Sequence, residues 1–254
     1  MFPSLTSPVI FAHRGASSHA PENTLAAFQL AIDQGARAIE LDVQLTKDHE
    51  VVVFHDVDLS RTTNGSGKIN SLTLAEIKTY NAGISFTPGY QDEKVPTLRE
   101  VLDYMPQDIF INIELKNLRT PFDDLPIRTA SVIRDCNAQK RVLISSYNQI
   151  ALRKFFAEIL TIPRGYLPRS PLNAYVLSKL PFLIKSLQSI HLSFKYLTPV
   201  LVASFKMAGK KVFSYTLNHT QDILQAANMG IDGFFTDDPG LARRTLLEEG
   251  LINA

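Results

Sequence analysis

Ile39-Glu40-Leu41-Asp42-Val43-Gln44-Leu45 alternates strictly between apolar and polar residues, the period of an extended strand. Ile39, Leu41, Val43 and Leu45 share one face, and Glu40, Asp42 and Gln44 share the other. Two carboxylates therefore point the same way. Ile111-Asn112-Ile113-Glu114-Leu115-Lys116 repeats the pattern, with Asn112, Glu114 and Lys116 on its polar face. Taken alone, each stretch also reads as a half-exposed strand of an antiparallel sheet. The flanking sequence shifts the balance, because amphipathic helical stretches separate β-rich runs along nearly the whole chain. In a β/α barrel the outer strand face packs on helices and has to be apolar. The polar set then faces inward, where charge is tolerated only near the open catalytic end.

Working outward, strands are predicted at Val9–His13, Ala36–Val43, Asp108–Leu115, Arg141–Ser145, Ile162–Tyr166, Ser189–Leu192, Lys211–Thr216 and Gly230–Phe235. Helices fit between them at Asn23–Gln34, Thr97–Met105, Pro121–Asp135, Gln149–Glu158, Pro199–Ala208, Thr220–Asn228 and Pro239–Glu249. Thr97, Asn148, Thr198 and Asp238 are candidate caps, and Pro199 and Pro239 suit a first helical position. An additional β run, Val51–His55, follows the polar turn Thr46 to Glu50. The stretch from Asp56 to Pro96 is too long for a simple loop. It holds a turn-rich segment, Thr62 to Gly67, and a short helix at Leu74–Tyr80. The expected fold is an α/β (β/α)8 TIM barrel forming one domain over residues 1–254. A small insertion subdomain at about residues 56–96, after the second strand, would cover the catalytic mouth.

Three carboxylates converging on one spot, Glu40, Asp42 and Glu114, repel one another and take up protons unless a cation compensates them. One divalent cation is the economical solution, and an all-oxygen set favours Mg²⁺ or Ca²⁺ over zinc. Neutralisation by Arg14 and Lys116 without metal is the alternative. His13-Arg14-Gly15 follows the first strand directly, where barrel enzymes place catalytic groups, and Phe54-His55-Asp56 closes the extra run. Two histidines at strand ends beside an acidic site read as an acid and a base, since imidazole exchanges protons near neutral pH. Arg14 and Lys116 add fixed positive charge for a phosphate. Together these groups describe phosphoryl chemistry.

Composition narrows the partners. The formal net charge is +1, so the net charge supplies no long-range field to hold nucleic acid or an anionic membrane. The single cysteine, Cys136, cannot form an intrachain disulfide and is expected as a small buried residue in a reducing compartment. Met1 to Ile10 has neither a basic region nor a long apolar core, so a cytoplasmic location is expected. No transmembrane segment is expected either. Leu172 to Ile190 comes nearest, interrupted by Lys179, Pro181, Lys185 and Gln188; it reads as a surface helix and a strand, with a membrane-contacting helix as the alternative.

Several motifs in order, His13-Arg14-Gly15, Pro21-Glu22-Asn23-Thr24, Glu40-Leu41-Asp42-Val43, His55-Asp56, Arg61 to Gly67 and Ile113-Glu114-Leu115-Lys116, resemble the signature of the glycerophosphodiester phosphodiesterase family. The likeness continues through Tyr215-Thr216-Leu217-Asn218 and Gly230 to Asp237, covering almost the whole chain. The resemblance implies His13 and His55 as general acid and base, and Glu40, Asp42 and Glu114 as ligands of one divalent cation. It makes Arg14 and Lys116 the phosphate contacts and Glu22 and Asn218 site-organising residues. Tyr215 stands where such relatives commonly carry tryptophan, which keeps an aromatic wall and adds a hydroxyl beside the substrate. The implied reaction is hydrolysis of a small-molecule glycerophosphodiester to sn-glycerol 3-phosphate and an alcohol. Two rivals use the same residues: lysophospholipase D-type hydrolysis of an acylated substrate, and a phosphodiester-binding barrel without catalysis. A homodimer is admitted by analogy with other barrels.

Overall fold

Hydrogen bonding joins the β-rich runs into a ring. The computed structural model describes residues 5, 7–84, 86 and 89–253. The expectations that rest on residues 1–4, 6, 85, 87, 88 and 254, including part of the N-terminal reading, lie outside the described residues. The strands are β1 (Val9–His13), β2 (Ala38–Leu45), β3 (Val51–Val53), β4 (Phe110–Leu115), β5 (Val142–Ser146), β6 (Arg164–Tyr166), β7 (Ser189–Ser193), β8 (Lys211–Tyr215) and β9 (Gly233–Thr236). Parallel pairing runs β1-β9-β8-β7-β6-β5-β4-β2, and β1 closes the ring on β2. The result is a (β/α)8 TIM barrel, with β3 added antiparallel to the end of β2.

Helices α1 (Leu25–Asp33), α2 (Leu74–Thr79), α3 (Leu98–Tyr104), α4 (Leu125–Asp135), α5 (Gln149–Glu158), α6 (Pro171–Lys179), α7 (Pro199–Met207), α8 (Thr220–Asn228) and α9 (Pro239–Glu248) follow in chain order. Thr97, Asn148, Thr198 and Asp238 cap α3, α5, α7 and α9, each through its side chain. Several ends move from their predicted places for local reasons. Helix α1 begins at Leu25 rather than Asn23 because Thr24 is its cap and Asn23, at φ 60°, turns its amide to Asp42. Helix α4 begins at Leu125 rather than Pro121 because Asn117 and Thr120 tie the side chain of Asp123 into a turn. Strand β2 runs past Val43 because β3 pairs with Val43–Leu45. Residues Leu172 to Ile190 divide into α6, a 3₁₀ turn at Pro181–Ile184 and the start of β7. Cys136 is only half-buried, at the end of α4 beside Arg99, not within the core.

The strand alternation holds throughout the ring. Ile39, Leu41, Val43, Ile111 and Ile113 face outward into one continuous core with Phe28, Leu98, Val101 and Leu102 of the helices. Inside, Phe11, Ala38, Leu143, Phe213 and Phe235 fill the lower barrel. Phe11 stacks on Phe235 with ring centres 4.9 Å apart, and His191 lies 5.2 Å from Phe213 and 5.3 Å from Phe235. His191 is wholly buried, and burial pulls its pKa down to about 3, so it sits there as neutral imidazole bonded to Ser189 at 2.9 Å. Gly165 makes room for it, since a Cβ there would stand 2.3 Å from Nε2. A packed floor therefore leaves the polar groups confined to the upper end. Beyond β3, Phe54, Leu59, Ile69, Ile77, Ala82 and Val95 form a small separate core under the inserted segment, anchored by Val52.

Candidate active site

The first strand delivers its functional groups through an abrupt turn. After His13, Arg14 takes φ 58° and Gly15 φ 87°, and the Arg14 N–H donates to the Glu40 carbonyl at 2.9 Å. A Cβ on Gly15 would lie 2.6 Å from the Ala27 backbone, so only glycine lets this turn rest on α1. Register sets His13 beside Glu40, and Asp42 beside Glu114. Oxygens of Glu40, Asp42 and Glu114, all buried, come within 4.8 Å of one another.

These acids are not equivalent. Burial, with Asp42 and Glu114 close by, raises Glu40 well above the ordinary carboxylate range. Burial works against the charge of Asp42 too, but Lys116 and Arg14 hold it below that range. Lys116 Nζ stands 2.9 Å from Glu114 Oε1 and 3.5 Å from Asp42 Oδ1. Arg14 Nε lies 3.2 Å from Asp42 Oδ2, at ion-pair distance without hydrogen-bond alignment. Asn23 donates to the same carboxylate at 3.1 Å. Among the described residues Glu40, by contrast, receives a single hydrogen bond, from the Arg14 backbone N–H at 3.1 Å, and has His13 Nε2 3.9 Å away. Asn112 Oδ1, on the residue paired directly with Glu40 in register, is buried without a donor among the described residues. The charge left uncompensated at Glu40, the three convergent oxygens and this orphaned acceptor fit a hard divalent cation. The two fixed cations cover Asp42 and Glu114, with Arg14 beside Asp42 and Lys116 between Asp42 and Glu114, and leave Glu40 as the third carboxylate.

Both histidines are held through Nδ1. His13 Nδ1 is 2.6 Å from Asp237 Oδ1, and His55 Nδ1 is 2.6 Å from Asp56 Oδ1. An ionised carboxylate only accepts, so Nδ1 carries the hydrogen in each pair and Nε2 is left free. Burial opposes charge on Asp237, yet hydrogen bonds from His13, Asn218 and Ser17 keep it below its usual range. Asn218 Nδ2 donates to Asp237 Oδ2 at 2.6 Å, and the Asp237 N–H donates back to Asn218 Oδ1 at 2.9 Å. Gln44 continues the polar face of β2 and donates to the carbonyls of Phe54 and Asp56 at 2.9 and 2.6 Å, which fixes the loop carrying His55.

Glu22 is enclosed by two guanidinium groups. It accepts from Arg14 at 3.0 Å and twice from Arg61 at 2.7 Å, and Arg61 also bonds Asp56. Burial opposes its charge, but Arg61 and Arg14 keep its pKa lowered. Tyr215 meets Tyr147, hydroxyl to hydroxyl, at 3.0 Å. A cavity of about 160 Å³ gathers His13, His55, Glu40, Glu114, Lys116 and Tyr215. It shares His55, Glu114, Lys116 and Tyr147 with a groove of about 660 Å³ that reaches Arg119 and Arg169. The sequence reading assigned no role to Asp56, Asp237, Arg61 or Tyr147. Asp237 and Tyr147 carried a signal in their places immediately after β9 and β5, where barrel sites collect their groups.

The upper end of this β/α barrel thus gathers two histidine–aspartate pairs, a buried carboxylate triad and two fixed cations, groups able to exchange protons beside fixed positive charge. The comparisons make this specific. Residues 13–241 match the family model described as "Glycerophosphoryl diester phosphodiesterase family". A glycerophosphodiester phosphodiesterase of Caldanaerobacter subterraneus subsp. tengcongensis is 38% identical over 233 residues, covering 91% of this chain and 94% of the relative. A phosphodiesterase of Oleispira antarctica, solved in complex with the product sn-glycerol-3-phosphate, superposes with a TM-score of 0.86 at 34% identity, covering 94% of this chain and 96% of that one. A glycerophosphodiester phosphodiesterase of Thermotoga maritima does so with a TM-score of 0.76 at 29% identity, over 94% and 99% of the two chains. The chain belongs to the glycerophosphoryl diester phosphodiesterase family.

Proposed function

We propose that the chain is a glycerophosphodiester phosphodiesterase that hydrolyses its substrates to sn-glycerol 3-phosphate and an alcohol by His13/His55 acid–base catalysis. The observation that carries this reading is the pair of Nδ1-anchored imidazoles facing one cavity beside the carboxylate triad. Arg14 and Lys116 offer the positive charge that a phosphodiester anion needs. Glu22, clamped by Arg14 and Arg61, orients the first of these cations. Asn218 steadies Asp237 and through it the ring of His13. Tyr215 and Tyr147 form an aromatic wall for the glycerol or alcohol.

In the first step the glycerol 2-hydroxyl attacks phosphorus and the bond to the alcohol oxygen breaks. One imidazole takes the hydroxyl proton through Nε2, and the other, protonated at Nε2 as well as Nδ1, gives its Nε2 proton to the departing alcohol. Water then opens the cyclic phosphate with the two roles exchanged. Glu40, Asp42 and Glu114 would hold a divalent cation, Mg²⁺ or Ca²⁺, which would supply Lewis-acid compensation for charge on the phosphate.

Release of glycerol 3-phosphate from glycerophosphocholine, glycerophosphoethanolamine and lysophosphatidylcholine tests the reading. His13→Ala and His55→Ala are each expected to lower kcat by about 10²-fold or more while binding survives. Turnover unchanged in both variants would sink the mechanism. Turnover of the acylated substrate alone would move the assignment to a lysophospholipase D.

A further inference from the structure

The near-neutral total charge hides a strong asymmetry. Residues 159–221, which carry β6, α6, β7, α7 and β8, contain eight Lys or Arg and no Asp or Glu. Four of these cations are committed internally: Arg164 donates to the Ser186 carbonyl, Lys210 to the carbonyls of Lys185 and Leu187, and Lys206 and Lys211 pair with Asp232. The other four, Arg169, Lys179, Lys185 and Lys195, are exposed and make no ion pair among the described residues.

The same region shows an apolar exterior. Helix α6 buries Ala174 and Leu177 against the barrel and turns Leu172 (70% exposed), Tyr175 (54%) and Val176 outward. The 3₁₀ turn that follows adds Phe182 (68%) and Leu183 (49%), and α7 beside it adds Val200 and Met207. A barrel helix facing water would carry its polar residues there. Lys179 lies among these side chains, 5.5 Å from the Tyr175 ring, with Lys185 just beyond the turn.

We propose that the outer face of α6, its following turn and the adjoining surface of α7 docks on an anionic phospholipid bilayer. Charge selects this occupant. A second copy meeting the face across a two-fold axis would bring the cations against themselves. Nucleic acid would neutralise the cations and leave Leu172, Phe182 and Leu183 in water. A bilayer surface answers both demands, with apolar side chains entering the headgroup boundary and lysine stems reaching lipid phosphates. The face starts three residues beyond Arg169, which lines the groove adjoining the catalytic cavity. Docking therefore holds that mouth at the edge of the bilayer.

Co-sedimentation of the whole chain with vesicles decides the matter. Vesicles of phosphatidylcholine alone are compared with vesicles of phosphatidylcholine and phosphatidylglycerol in equal parts. Binding is expected to the mixed vesicles, weakened by salt, and at least about tenfold weaker in Leu172→Gln/Phe182→Gln and in Lys179→Glu/Lys185→Glu. Both double variants should hydrolyse glycerophosphocholine as the parent does, so failure here is separable from failure of the catalytic assignment. Equal binding to the two vesicle types, no binding to either, or variants that bind like the parent would overturn the proposal. So would a dimer in sedimentation velocity that the same variants dissolve, which would make the face a self-interface.

Discussion

Two carboxylates that bond Nδ1 decide what the histidines can do. Asp237→Asn offers His13 an amide that can donate as well as accept, so the ring loses its enforced tautomer while the cavity keeps its shape. The expected result is a fall in kcat of about 10²–10⁴-fold with KM little changed, read from steady-state kinetics on glycerophosphocholine. An unchanged kcat would mean that Asp237 is only packing. His191 gives a second test at this scale. In the fold it stays neutral down to about pH 3, whereas in the unfolded chain it takes a proton below its ordinary value of 6.5. Its contribution to stability is thus fully present above pH 6.5 and is lost as the pH falls toward 3, at up to about 1.4 kcal/mol per pH unit. His191→Leu should flatten the acid limb of stability against pH by that slope, measured by urea unfolding at successive pH values. Parallel curves for variant and parent would refute this origin of the acid sensitivity.

Elements show why part of this site was readable in the chain and part was not. The alternation of Ile39 to Leu45 and Ile111 to Lys116 survives in the barrel because each outer face meets a helix. That local period puts Glu40, Asp42 and Glu114 on inward faces, and the parallel register of β2 with β4 brings them together. Strand ends supplied His13 and Lys116 in the same way. No local pattern could pair His13 with Asp237, 224 residues away, because that contact exists only once β9 closes against β1. Arg61 reaches Glu22 from the inserted segment for the same topological reason. Periodicity shows that α6 is partly apolar but does not say which apolar residues meet the barrel; only packing separates Ala174 and Leu177 from Leu172 and Tyr175. The junction of β1 and α1 yields a prediction of its own. Gly15→Ala combines a positive φ with overlap against Ala27 and should lower unfolding stability by about 2 kcal/mol or more in urea titration. A loss of a few tenths of a kcal/mol would show that the turn can shift without disturbing α1.

At the scale of the whole molecule, the barrel divides labour along its axis. Aromatic and aliphatic side chains with one neutral histidine close the lower end, so the charged groups meet in a site backed by low-polarity protein. This backing, with Asp42 and Glu114 close by, is what raises Glu40 and makes a bound cation the natural counterweight, since Arg14 and Lys116 are already engaged with Asp42 and Glu114. The measurement that bears most directly on the account is release of glycerol 3-phosphate from glycerophosphocholine by chelator-treated protein, before and after Mg²⁺ or Ca²⁺ is restored. A metal-assisted mechanism predicts turnover abolished by chelation and recovered with one of these ions, and no recovery in Glu40→Gln. Full turnover after exhaustive removal of divalent cations, or none with either ion, would contradict it.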